Sequence, residues 1–438
     1  MANNKPIVCR RSAAVLSTGL LLGAALLGDA SAASWPQYRG VNHDGKTSEK
    51  VSTKWPAAGP RSLWKTPMEG GFSSITVSDG KAFTLVLREV EGVKQDLVLA
   101  VDAHTGKELW TYALGPTKYD GGGDSGTNDN KGGDGPRSTP SVDGKFVYVL
   151  SGKLVLSCLD AKTGAKVWAA DLIKDHAGRN ITWQNAASPL IDGNAVYVAG
   201  GGAGQSLIAF DKKSGAVLWK GQDDKMTHAT PVAATILGVR QIIFFTQTGL
   251  VSLNPKDGEV LWRYGFKYNV STAASPVVAG DMVYCSAGYG VGAGLVKLAK
   301  DGGGKFQATE VWRKTGQLMN HWSTPVFKDG YLYGMFSFKE YGSGPLKCVE
   351  LATGKEVWSQ AGFGPGNVTL AGSNLVVLSD AGQLVLVEAS PKAYNELSRA
   401  KVVEGKCWST PTLSDGRVFA RSTKEGVCVD ATGRVASR

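Results

Sequence analysis

Seven short segments of this 438-residue chain hold side chains suited to gripping a ligand. They are Gly135-Pro136-Arg137, Trp183-Gln184-Asn185, Met226-Thr227-His228, Ser271-Thr272, Asn320-His321-Trp322, Gly366-Asn367 and Lys406-Cys407-Trp408. Arg137, Asn185, His228, Asn320 and His321 supply polar groups, and Trp322 and Trp408 supply flat aromatic faces. Polar groups set among aromatic faces suit a small-molecule site better than a proton-relay triad. The same Trp residues would also serve as packing under loops, with the polar groups solvated. Which use applies depends on whether the fold brings the segments together.

They share a position. Each precedes a Ser/Thr-Pro pair or its equivalent: Ser138-Thr139-Pro140, Ala187-Ser188-Pro189, Ala229-Thr230-Pro231, Ala274-Ser275-Pro276, Ser323-Thr324-Pro325 and Ser409-Thr410-Pro411. Proline suits the first residue of a strand, where no ladder donor is needed. Downstream lies a second mark, as in Asp102-Ala103-His104-Thr105-Gly106-Lys107-Glu108-Leu109-Trp110. Asp160 to Trp168, Asp211 to Trp219, Asn254 to Trp262 and Glu350 to Trp358 repeat it, and a looser copy ends at Trp312. Asp and Thr can bond the local backbone and Gly can take a positive φ, which is hairpin chemistry. Each unit therefore reads as four short antiparallel strands. A unit of that kind recurring every ~40–50 residues is a propeller blade.

The blade count is eight. A seventh unit opens at Asn367-Val368-Thr369-Leu370 without the proline, and an eighth opens at Ser409 and stops before its Trp strand. Leu63-Trp64-Lys65-Thr66-Pro67 can supply that strand from the other end of the sequence. The expected architecture is all-β: an eight-bladed propeller over 63–438, closed by an N-terminal strand, which leaves no open sheet edge in the ring. The segments ahead of each first strand then gather on one rim of the central funnel.

Residues 1–32 read as a secretory signal peptide, with Lys5, Arg10 and Arg11 ahead of an apolar run from Ala13 to Leu27 and Ala30-Ser31-Ala32 as the cleavage site. The expected location is periplasmic or secreted. No Cys stands at the cleavage site, so no lipid anchor is expected, nor any transmembrane segment in the mature chain. Residues 33–62 read as an N-terminal arm pinned by Trp35, Tyr38 and Trp55. The formal net charge is +10. No basic run appears, and lysines such as Lys107, Lys162, Lys212 and Lys355 sit in the repeat hairpins, so nucleic acid is not an expected partner. Cys158, Cys285, Cys348, Cys407 and Cys428 fall on separate strands or blades and are expected to be buried thiols without disulfides. A Gly/Asp-rich insertion carries Asp120, Asp124, Asp129 and Asp134, hard oxygen ligands that suit calcium, although the EF-hand spacing is absent and such a loop also reads as merely solvated.

The repeat resembles the pyrroloquinoline quinone (PQQ) repeat, Ala-x-Asp-x-x-Thr-Gly-x-x-x-Trp, which Ala100 to Trp110 matches nearly in full. The likeness covers about residues 63–433. It implies membership of the quinoprotein alcohol dehydrogenase-like superfamily, which also holds non-catalytic propellers such as the lipoprotein of the outer-membrane β-barrel assembly machinery. Trp35-Pro36-Gln37-Tyr38-Arg39-Gly40 with Asp44-Gly45 resembles the opening of secreted bacterial PQQ-repeat proteins. Catalytic members of the superfamily need an Asp base, calcium held by Glu, Asn and Asp, and a quinone stacked on a Trp and, in alcohol oxidisers, on a disulfide of adjacent cysteines. No Cys-Cys pair occurs here, and the metal ligands do not map residue by residue. The reading is a monomeric, non-catalytic scaffold that binds an envelope protein or a small ligand. The alternatives are a PQQ- and calcium-dependent alcohol or sugar dehydrogenase and a carbohydrate- or peptide-binding propeller. His104 and His176, near turns, are expected to be solvated.

Overall fold

The computed structural model describes Met1 and residues 34–117, 135–268, 272–336, 338 and 340–433. The signal-peptide reading of 1–32 lies outside the described residues, as do Asp120, Asp124, Asp129 and Asp134. Eight antiparallel four-stranded sheets form the blades of a propeller. Their first strands begin at Thr76, Ser141, Leu190, Val232, Val277, Val326, Asn367 and Thr412. The last blade takes its outer strand, Ser62–Pro67, from the N-terminal side, where Trp64 stands opposite Cys428.

The repeat motif locks each blade to the next. In the hairpins at Asp102, Asp160 and Asp211, the carboxylate accepts two backbone N–H groups and the Thr or Ser hydroxyl. The Trp of the preceding blade then lies over this turn. Trp64, Trp110, Trp168 and Trp219 donate their indole N–H to the carbonyls of Ala103, Ala161, Lys212 and Pro255. Trp312 and Trp358 do the same to Leu351 and Ser390. The exception is Trp262, which bonds the buried Gln241 Oε1 at 2.7 Å. The blade after it joins Gly292–Lys300 to Phe306–Thr315 by a different turn, so the usual carbonyl is not presented.

Every outer strand breaks register at the Trp position or its equivalent. The residue just before the Trp is left unpaired, and Leu109, Val167, Leu218, Val311 and Val357 stand exposed there. Such bulges blunt edges that would otherwise template pairing with another chain.

A ring of hydroxyls binds the inner ends. Thr410 N–H donates to Ser74 Oγ, Ser74 N–H to Thr139 Oγ1, Thr139 N–H to Ser188 Oγ and Ser188 N–H to Thr230 Oγ1, each at 2.9–3.0 Å. Ser275 ties the fourth, fifth and sixth blades, donating Oγ–H to the Thr230 carbonyl and N–H to Thr324 Oγ1. The Ser/Thr before each proline is thus a link between blades as well as a strand start.

The arm is more ordered than an irregular tether. Residues 35–52 cross the channel from the face opposite the rim. Trp35 exchanges backbone bonds with Val77, Pro36 accepts from Val142, and Gln37 pairs with the Ile191 backbone. Arg39 reaches the Thr324 and Pro325 carbonyls, and Lys46–Thr47 adds a parallel strand to the seventh blade. Glu49 and Ser52 bond the eighth blade at Gly416 and Ala431.

Among the described residues, the five cysteines Cys158, Cys285, Cys348, Cys407 and Cys428 are buried and free. His104 is exposed, as expected. His176 is not solvated: it is buried, edge-on to Phe210. Among the described residues, no helix is long and apolar enough to cross a membrane.

Candidate functional site

The rim segments do converge, but most of their side chains are engaged with one another or with backbone. Asn185 is buried, and its amide donates to the Leu150, Ser151 and Ala187 carbonyls while its oxygen accepts the Ala187 N–H. Asn320 is fully buried: Nδ2 donates to the Met335 carbonyl and Oδ1 accepts the Tyr284 hydroxyl at 2.7 Å. These amides brace the loops entering the third and sixth blades. They are not presented to a ligand.

Arg137 donates Nη1–H to the Trp183 carbonyl at 2.8 Å, and a His228 ring nitrogen lies 2.8 Å from the Gln184 carbonyl. Both ends of one strained turn are therefore held from neighbouring blades, since Trp183 and Gln184 have φ of 69° and 63°. Burial, with help from the nearby Arg137 charge, pushes His228 down to about 3, so it is a neutral imidazole.

The aromatic rings form a continuous band. Phe72 stacks on Trp408 and Trp408 on Trp322, each pair with centroids 4.5 Å apart. His321 lies against Trp322 and Tyr289. Tyr289 in turn faces Trp183 from two blades away, with the rings tilted by only 12°. Tyr341 stacks on Trp408, and Lys406 Nζ sits 4.8 Å over its ring. The pull of a cation toward an aromatic face holds this lysine at the rim.

A planar cofactor can be tested against this geometry. A ring inserted between two indoles needs about 7 Å between them, twice the ~3.5 Å carbon contact distance. Trp322 and Trp408 are 4.5 Å apart, so nothing fits between them as placed. With the Asn185 amide spent on backbone and that of Asn320 on the Met335 carbonyl and the Tyr284 hydroxyl, neither a quinone sandwiched between these two indoles nor a calcium held by these amides fits this arrangement. Among the described residues, no three His, Cys, Asp or Glu side chains gather as metal ligands.

Sequence reasoning missed Asp380, at the hairpin between the second and third strands of the seventh blade. Its Oδ2 accepts the Gly342 N–H at 2.7 Å, and its backbone carbonyl accepts Cys407 N–H. Burial raises its carboxyl above the ordinary aspartate value. Only its position, beside the residues that carry Tyr341 and Trp408, could have flagged it, and that position is set by tertiary structure.

Residues 94–334 and 342–436 match the family model described as outer membrane protein assembly factor BamB. The chain belongs to that family. Among individual relatives, the BamB of Moranella endobia is 25% identical over 64% of this chain and 68% of its own length. That of Shewanella oneidensis is 23% identical over 58% and 64%. A tetrathionate hydrolase from Acidithiobacillus ferrooxidans is 26% identical over 55% of this chain but only 41% of itself. Among solved structures, BamB from Moraxella catarrhalis superposes with a TM-score of 0.58 at 16% identity, covering 86% of this chain and 99% of that one. A quinohemoprotein alcohol dehydrogenase from Pseudomonas putida reaches 0.64 at 13% identity over 93% and 81%. At these identities the structures speak for the fold alone. The sequence family places the chain among PQQ-repeat propellers.

Proposed function

We propose that this protein is a non-catalytic scaffold of the cell envelope, exported by its leader, that works as a monomer and presents its aromatic rim to a protein partner during outer-membrane assembly. The observation that carries the reading is the closed rim. Trp322, Trp408 and Phe72 stack without a gap, and the amides expected to hold a ligand are committed to backbone. The half-buried rings of Trp183, Tyr289, Trp322 and Tyr341, with Lys406 over the buried Trp408, suit a protein interface, where aromatic and cationic side chains concentrate binding energy. The family membership supports the same reading. The test is photo-crosslinking in living cells from Trp183 or Tyr341 replaced by a photoreactive residue, with Leu237 on the opposite face as control. A rim-specific crosslink to an envelope protein is expected. Crosslinking no stronger from the rim than from Leu237 contradicts the proposal.

The alternative, a PQQ-dependent dehydrogenase, has one observation on its side. Asp380 is a half-buried carboxyl with a raised pKa at the rim, the environment of a general base. Because Trp322 and Trp408 leave no gap between them, that reading requires the quinone to stack on one face of the aromatic band.

A further inference from the structure

Seven of the eight outer strands carry a Trp, and Glu396–Lys401 of the seventh blade does not. Trp110 stands opposite Ala100 and Trp358 opposite Cys348, next to the bulge. The same position in the seventh blade, opposite Leu386, holds Ser398. The acceptor that such an indole would meet in the next blade is still present. Ala431 follows Asp430 as Ala103 follows Asp102, and its N–H bonds the Gly416 carbonyl as that of Ala103 bonds Gly80.

The arm supplies what the blade lacks. Ser52 donates its N–H to the Ala431 carbonyl at 2.7 Å. Ser398 Oγ donates to the Thr53 carbonyl at 3.0 Å and accepts the Trp55 N–H at 3.3 Å. Trp55 packs, half-buried, against the apolar cluster shared by the seventh and eighth blades, which includes Val376, Leu386, Val427 and Val429. One segment thus provides in two pieces the N–H and the indole that a blade Trp provides together.

This substitute is held less firmly than a Trp built into a blade. Each of the seven blade indoles has an acceptor, whereas Trp55 Nε1 is buried without one, and an unpaired buried donor is costly. Residues 51–59 belong to no strand, and Thr53, Lys54, Pro56, Ala57 and Ala58 are exposed.

We propose that residues 51–55 are an exchangeable strap over a peptide-binding slot at the seam between the seventh and eighth blades. The slot takes an extended protein segment with a Trp three residues after a backbone N–H donor, the chemistry of Ser52 to Trp55. The Ala431 carbonyl receives the N–H, Ser398 Oγ grips the backbone, and the apolar seam receives the indole. The arm fills the slot in cis, and a partner presenting such a segment takes its place when the strap lifts.

The test uses the full chain and a fluorescein-labelled synthetic peptide of residues 50–60, with a second peptide in which Ala replaces the Trp. Trp55→Ala empties the slot in cis. By fluorescence anisotropy this variant should bind the Trp peptide saturably, and the Ala peptide at least about tenfold more weakly. The unaltered protein should also bind the Trp peptide at least about tenfold more weakly than the variant does, because its own strap competes at an effective concentration on the order of millimolar. Hydrogen exchange needs no variant. In the unaltered protein the Ser52 amide should exchange by local opening, at least about tenfold faster than the ladder amides of Gln383–Glu388. No saturable binding to the folded variant, equal binding of the two peptides, or a Ser52 amide as protected as that ladder overturns the proposal.

Discussion

The indole N–H of Trp110 donates to the Ala161 carbonyl at 3.2 Å, and its ring lies where a Cβ on Gly164 would sit only 2.5 Å away. One glycine is thus fixed twice, by its φ of 74° and by the ring from the blade before it. Gly164→Ala should cost about 3 kcal/mol, combining left-handed strain with an overpacked contact. Gly144, with a φ of 56° and nothing within 4 Å of its added Cβ, is the control, and Gly144→Ala should cost only about 1 kcal/mol. Urea unfolding of the two variants measures both.

Trp64 makes the same contact across the closure of the ring, from the N-terminal strand to Ala103. Trp64→Ala should cost about 3–5 kcal/mol, as for other buried Trp truncations. Because the lost contact joins the two ends of the sequence, the amides of Ser62–Pro67 should lose hydrogen-exchange protection before those of central blades. Uniform loss would argue that this strand is not the weak point.

Two buried histidines give stability a pH dependence. Burial pushes His43 to about 4 and His228 to about 3, below the ordinary histidine value. The unfolded chain therefore takes up protons first as pH falls. The stability they supply is complete above the ordinary value near 6.5 and is lost progressively as pH falls toward 4 and below, on the order of a few kcal/mol. Urea midpoints at pH 7 and pH 4.5 should differ in that direction. The difference should shrink in His43→Gln.

The five cysteines should be inert while the fold lasts. Burial raises the thiols of Cys158, Cys407 and Cys428 to about 12, leaving almost no thiolate at neutral pH. A thiol reagent at pH 8 should find none of these five in native protein and all five in urea. Rapid labelling of even one in the native state would contradict the burial.

Much of the fold was legible because its signals are local. The Asp-x-x-Thr-Gly turn and the Trp that follows lie within one hairpin, so each blade announces itself. What the motif does was hidden, because Trp110 meets Gly164 in the next blade and Ser74 meets Thr410 across the closure. The arm was unreadable for the same reason: Arg39 finds its acceptors at Thr324 and Pro325, far along the chain. The placement of the rim segments was legible, and the bonds that their side chains make were not. Asn185 and Asn320 do lie at the rim, but an amide spent on backbone has the same sequence signature as one offered to a ligand. His176 was misplaced because a histidine beside a turn gives no sign of the Phe210 ring that covers it.

Trp322 and Trp408 stack with no room for a quinone between them. The most direct measurement is the thermal midpoint of the purified protein titrated with PQQ in the presence of Ca²⁺. Binding to the native state would have to stabilise it, by about 2.7 kcal/mol at a hundredfold excess over Kd. For a non-catalytic scaffold, no shift is expected at the highest PQQ concentration reached. A Ca²⁺-dependent rise would contradict it, by showing that the native protein binds the cofactor.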